Sequence, residues 1–133
     1  NSEMPVFICS KIVKLMIKKR IKIENARALI LGVSFKEDCP DIRNTKIVDL
    51  YYGLKEYKID VDIFDPIVSK KEMKEEYNID IINDQPNSKY DVLVLAVPHE
   101  ILKKMDYSKY LADKSVLFDV KSVLPKSASD ARL

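Results

Sequence analysis

Glycine is almost missing from this chain: its 133 residues hold two, Gly32 and Gly53. A dinucleotide fingerprint needs three glycines, G-x-G-x-x-G, so that backbone can approach a pyrophosphate, and a P-loop needs G-x-x-x-x-G-K-[ST]. Neither occurs, so any phosphate held by this chain must be held mainly by side chains. Cysteine and histidine are as sparse. Cys9 and Cys39 cannot build a disulfide framework, and with the single histidine, His99, they cannot complete a four-ligand zinc site alone. A lone histidine without a paired serine, cysteine or carboxylate motif makes no catalytic triad either. No apolar segment approaches the roughly 20 residues that span a bilayer, and the amino terminus lacks the charged and apolar regions of a signal peptide. Charge of one sign is not in excess: 23 basic and 21 acidic side chains leave +2, which argues against a nucleic-acid partner, since that calls for a concentrated basic face. The expectation is a cytoplasmic, reduced protein with no membrane span and no metal.

What is present fits a folded domain, with 47% hydrophobic and 33% charged residues and length for about one domain with a real core. From 5 to 19, Ile8, Cys9, Ile12, Val13, Leu15, Met16 and Ile17 recur at helical spacing behind Pro5, while Lys11, Lys14 and Lys18 mark the other face. Such a basic amphipathic helix can lie on a membrane; packing on its own domain or a partner, with solvated lysines, is the stronger reading, and Cys9 is then plain core. Arg27 to Val33 is a near-continuous apolar run of the kind buried on both faces of a parallel sheet. A helix over 45–57 buries Ile47, Val48, Leu50, Tyr51, Leu54 and Tyr57. Strands follow over 59–64, 79–82, 90–97 and 114–120, with a short helix over 69–77 capped by Ser69, another over 100–105, a turn at 108–112 and an irregular tail from 122. The rhythm specifies a three-layer, Rossmann-like α/β domain with a mostly parallel sheet of about five strands, preceded by an amphipathic helix.

In open α/β sheets ligands sit beyond the carboxyl ends of the strands. Here the loop after the first strand places Phe35, Lys36, Asp41, Arg43 and Asn44 at that edge, with Asp119 and Lys121 emerging at the end of the last strand. Lys36 offers a point charge, Arg43 a planar fork, and the helix beginning near Asn44 or Thr45 its free N–H groups. Asp41 and Arg43 could instead pair to pin the loop. Asp65 occupies the place where dinucleotide folds bind a ribose, but without the glycine fingerprint a turn residue before Pro66 is the better reading. His99 either contacts a ligand or starts the next helix, and position favours the latter.

The segment Gly32-Val33-Ser34-Phe35-Lys36, followed by Pro40-Asp41-Ile42-Arg43-Asn44-Thr45, resembles the signature of the carboxyl-terminal domain of the UDP-glucose/GDP-mannose dehydrogenase family. Phe64-Asp65-Pro66, Leu95-Ala96-Val97-Pro98-His99-Glu100 and Phe118-Asp119-Val120-Lys121-Ser122-Val123-Leu124-Pro125 follow in order, and the last two look most like the branch that oxidises UDP-N-acetylhexosamines (mannosamine or galactosamine). The resemblance implies a part of an enzyme. Residues 1–24 would be the end of the family's central linking and dimerisation helix, and residues 25–133 its UDP-sugar-binding α/β domain. The NAD-binding domain and the central region with the catalytic cysteine are absent, so NAD would be bound elsewhere, no catalytic residue can be named, and this chain alone is expected to be inactive. The implied parent oxidises the sugar C6 alcohol to a uronate for surface polysaccharide precursors and is a homodimer; Ile8, Ile12, Leu15 and Met16 would be the associating face. Phe35 would lie against uridine or close the pocket, Lys36 and Arg43 would meet the charged part of the ligand, and Lys121 would reach it from the last strand. The tail ends Asp130-Ala131-Arg132-Leu133 where the family usually has glycine at the place of Ala131, so no role is carried onto Arg132. The alternative is a free-standing nucleotide- or partner-binding α/β module without redox activity. A receiver domain shares the rhythm but needs an acidic pair after the first strand and a phosphoacceptor after the third, and neither is evident.

Overall fold

Ala28 and Ile30 alternate with Leu29 and Leu31, and all four are wholly buried. The computed structural model describes residues 3–133, and in it this run lies in strand β1 (Arg27–Leu31), between β2 (Asp60–Phe64) and β3 (Tyr90–Leu95). β4 (Leu111–Asp119) lies beyond β3, and β5 (Ala131–Arg132) beyond β4. The order is β2-β1-β3-β4-β5 and every pairing is parallel. The period of two sorts the side chains into two cores. Ala28, Ile30, Val92, Val94, Val116 and Phe118 pack with helices α1 (Met4–Lys18) and α2 (Ile47–Glu56). Leu29, Leu31, Leu93, Leu95 and Leu117 face Leu102 and Tyr110 in a thinner layer that includes α4 (Glu100–Lys103). The three-layer, Rossmann-like α/β expectation therefore holds, with a sheet that is parallel throughout.

Helix α1 belongs to this body. Ile8, Cys9, Ile12 and Met16, spaced one helical turn apart, are buried against α2 and β4, whereas Lys11, Lys14 and Lys18 are exposed. The close approach of the two helices depends on Gly53, where a Cβ would stand 2.8 Å from the Cys9 sulfur. Ile8, Ile12 and Met16 thus cannot form the associating face expected from sequence, because the domain itself covers them. The outer side of α1 carries exposed Val6, Phe7 and Ile17 instead.

Four further expectations need correction. The segment over 79–82 is no ladder strand: it alternates buried Ile79 and Ile81 with exposed Asp80, but meets β2 only through a bridge between Ile82 and Phe64. That single contact covers part of an edge that would otherwise be open. The fifth strand comes from the tail, where Asp130 reaches back to β4. Its N–H donates to the Leu117 carbonyl, and its carboxylate accepts from the Leu117 N–H and the Lys19 ammonium. Tyr57 lies past the end of α2 and is 42% exposed. Asp119 does not emerge at the edge; it is buried, and one carboxylate oxygen accepts from the Leu124 N–H at 2.8 Å. Ser69 does cap helix α3 (Lys70–Tyr77), its hydroxyl accepting from the Glu72 N–H at 3.1 Å.

Candidate functional site

From β1 the chain crosses one way to β2 and the other way to β3, so the order of strands reverses between β1 and β3, and ligands of such sheets sit outside the carboxyl ends at that point. A cavity of about 200 Å³ opens there. Ser34, Phe35, Lys36 and Glu37 line it from the β1 end, Ala96 and Val97 from the β3 end, and Val120 and Lys121 from the β4 end. Asn44 to Ile47, where α2 begins, form a further wall, and Met4 of α1 reaches it. The walls therefore offer apolar surface, three lysines (Lys36, Lys46 and Lys121) and the positive end of a ten-residue helix.

Of the residues expected from sequence, Phe35, Lys36 and Lys121 meet in this cavity. Phe35 is 60% exposed, a large aromatic face left open to water at the mouth of a pocket. Arg43 does not line the cavity. It stands with Asp41, Asn44 and Phe35 at an adjoining shallow cleft, and its guanidinium pairs with the Asp41 carboxylate. The Arg43 hydrogen bonds hold that carboxyl at about 2, well below its usual range. The pinning alternative weighed for these two residues is thus present, and the Phe35 N–H donating to the Asp41 carbonyl at 2.7 Å closes the same loop.

Sequence reasoning missed what lies beneath the loop. Asp65 and His99, at the ends of β2 and β3, are both wholly buried, with His99 Nε2 2.9 Å from an Asp65 oxygen. Asp65 also accepts from the N–H groups of Val33, Ile67 and Val68. Burial alone would push its carboxyl up, but the hydrogen bonds from His99, Val33 and Ile67 outweigh that and hold it below the usual value. Asp65 is therefore more than a turn residue before proline, and His99 does more than precede α4. Both were visible only as isolated polar residues, because 34 positions separate them. Ser34 Oγ lies 3.4 Å from the same Nε2, which brings a serine, a histidine and an aspartate together. It is no relay: a triad needs the carboxylate on the other ring nitrogen, and here that nitrogen, Nδ1, accepts from the Asp38 N–H.

The same geometry tests this chain as a seat for NAD, and it does not fit. The one glycine of the loop, Gly32, has φ +90°, and a Cβ there would lie 2.5 Å from the Val97 carbonyl oxygen. Its missing side chain admits the end of β3 rather than a pyrophosphate. Asp65, at the ribose position, has its oxygens engaged inside the protein.

Comparison with known proteins gives the family. The sequence model of the UDP-glucose/GDP-mannose dehydrogenase family, UDP binding domain, matches residues 29–126, and the chain belongs to that family. UDP-N-acetyl-D-glucosamine 6-dehydrogenases from Salmonella typhi and Pseudomonas aeruginosa are 44% and 42% identical to it over 136 residues, covering 100% of this chain and 32% of each relative. The chain thus spans about a third of the length of these relatives and corresponds to the UDP-binding part of UDP-sugar dehydrogenases. In fold, it is similar to an NDP-N-acetyl-D-galactosaminuronic acid dehydrogenase from Methanosarcina mazei Go1, with a TM-score of 0.81 at 21% identity over 94% of this chain and 26% of that one.

Proposed function

We propose that the cavity between the ends of β1, β3 and β4 holds the UDP moiety of a UDP-N-acetylhexosamine. The observation that carries this reading is the convergence of Phe35, Lys36 and Lys121 with the first turn of α2 on one cavity at the strand-order reversal. Uridine lies against Phe35, which presents an open aromatic face. Lys36 and Lys121 meet the diphosphate, assisted by the N–H groups that open α2. Arg43, beside the adjoining cleft, meets the charged part of the ligand at the rim.

The parent enzyme in this reading is an NAD-dependent UDP-sugar 6-dehydrogenase that oxidises the C6 alcohol to a uronate for surface polysaccharide precursors. NAD and the chemistry belong to domains outside this chain, which positions the sugar by its nucleotide, so that binding energy far from C6 is used to orient C6. The setting is cytoplasmic, in keeping with two free cysteines and with no helix among the described residues long and apolar enough to cross a membrane. The parent is a homodimer, and the exposed Val6, Phe7 and Ile17 on α1 offer it apolar surface. The N-acetylhexosamine is favoured because the relatives at 44% and 42% identity carry such a sugar in their names.

Calorimetric titration at low salt tests the reading. UDP binds, uridine binds more weakly because it brings no diphosphate, and the pure chain with UDP-sugar and NAD forms no NADH. Equal affinity for uridine and UDP, or reproducible NADH formation by the pure chain, contradicts it.

A further inference from the structure

His99 stands immediately before α4, yet its side chain caps no helix N–H. It turns inward instead, where it is wholly buried and holds a contact at each ring nitrogen. Nε2 faces Asp65 at 2.9 Å, and Nδ1 lies 2.8 Å from the backbone nitrogen of Asp38. A backbone N–H can only donate, so Nδ1 carries no proton and the ring is the neutral tautomer with its hydrogen on Nε2. Asp38 has φ 57°, a left-handed conformation that a side chain other than glycine adopts when its surroundings fix it. Its own carboxylate accepts from the Glu100 N–H at 2.9 Å, next to His99 in sequence.

The other end of this arc is tied to the same pair. Val33 N–H donates to Asp65 at 2.9 Å, and the Ser34 hydroxyl donates to the Lys36 carbonyl at 2.9 Å while lying 3.4 Å from His99 Nε2. Residues 33–38 are therefore pinned at both ends on one buried pair, with Phe35 and Lys36 exposed in the span between. A buried polar pair is seldom more stabilising than apolar packing of the same volume. Here its outward-facing acceptor is used on the loop and on nothing else.

We propose that His99 is a positioning residue for the ligand loop: through Nδ1 it fixes Asp38, and through Asp38 it sets Phe35 and Lys36 toward the cavity, without touching the ligand itself. The proposal rests on the reading of that cavity as a UDP site, and it gives the His99–Asp65 pair a role that the cavity walls do not reveal.

Two substitutions separate the two ring nitrogens. In His99→Gln, the amide nitrogen reaches the place of Nε2 and keeps a donor for Asp65, but offers nothing to Asp38. In His99→Asn, the amide oxygen stands near the place of Nδ1 and keeps the acceptor for Asp38. In the wild-type chain, the imidazole nitrogen shifts report an unprotonated Nδ1 and the Asp38 amide exchanges slowly. With His99→Gln, Asp38 exchange rises and UDP affinity falls, each by about fivefold or more, as expected for one lost hydrogen bond; His99→Asn retains the Asp38 protection. A protonated Nδ1 in the wild type overturns the proposal, and so does a His99→Gln chain that melts earlier yet keeps both Asp38 exchange and UDP affinity. Should His99→Gln fail to fold, the wild-type nitrogen shifts and Asp38 exchange decide. A wild-type chain that binds no UDP contradicts the cavity reading instead, and the clamp on Asp38 is still decided by the amide.

Discussion

Arg43 is forked onto Asp41: its Nε and Nη2 donate to the carboxylate at 3.0 and 2.8 Å. Among the described residues, Lys36, Lys46 and Lys121, the cations that line the cavity, have no such partner, so their charge is not already matched by a carboxylate. Lys36→Ala is accordingly expected to weaken UDP binding by roughly ten- to a hundredfold, the cost of about 1.5–3 kcal/mol for a lost charge-assisted hydrogen bond. Arg43→Ala should cost less, since its charge is largely spent on Asp41. Calorimetry on the two variants ranks them, and the opposite order would mean that Arg43 leaves Asp41 to take the diphosphate.

Cys9 and Cys39 should differ sharply in reactivity. Burial pushes the Cys9 thiol up to about 11, with the charge of Glu56 adding to the shift, whereas Cys39 is partly exposed in the ligand loop. The thiolate is the reactive form. A disulfide reagent at neutral pH should therefore titrate one thiol quickly in the native chain and two after unfolding. Two fast thiols in the native state would place α1 off the domain.

Gly53 gives a test of that helix packing by sign. Gly53→Ala gains helix propensity of about 1 kcal/mol, but its Cβ would stand 2.8 Å from the Cys9 sulfur. Overpacking of this kind costs about 1–3 kcal/mol, so the single variant should be less stable. In a Cys9→Ala background the obstacle is gone and the same change should be neutral or stabilising. Denaturant melts of the four chains measure the coupling, and strictly additive effects would refute the contact.

The buried pair should appear in the acid limb of stability. The Asp65 carboxyl is held below its ordinary value of 3.8 by hydrogen bonds made only in the folded state. A depressed folded value means that the unfolded chain takes up the proton first, so this contribution is fully present above about pH 4 and is lost as pH falls through the lower folded value. Asp65→Asn should be less stable at neutral pH and should flatten the slope below pH 4. An unchanged slope would show that Asp65 titrates alike in both states.

The sheet was legible in sequence wherever apolar periodicity was strong: β1, β3 and helices α1 and α2 fall where Ala28–Leu31, Val92–Leu95, Ile8–Met16 and Ile47–Leu54 place them. What failed depends on contacts distant in sequence. β5 exists because Asp130 ties the tail to Leu117 and Lys19, and no local pattern at Ala131–Arg132 announces it. The segment over 79–82 has a strand's alternation, yet meets its neighbour at one residue. The cavity was readable because strand ends are fixed by the apolar runs that precede them, which put Phe35, Lys36 and Lys121 at one edge. The His99–Asp65 pair was not, because neither residue lies in a motif with the other and only the parallel pairing of β2, β1 and β3 brings them within 2.9 Å.

The most direct measurement is an amide-shift map of the isotope-labelled chain titrated with UDP at low salt. The account predicts saturable shifts confined to residues 4, 34–37, 43–47, 96–97 and 120–121, the walls of the cavity and Arg43 at its rim, and their collapse in Lys36→Ala with the fold intact. Shifts centred on another face, or a Lys36→Ala chain that binds UDP as the wild type does, would contradict it.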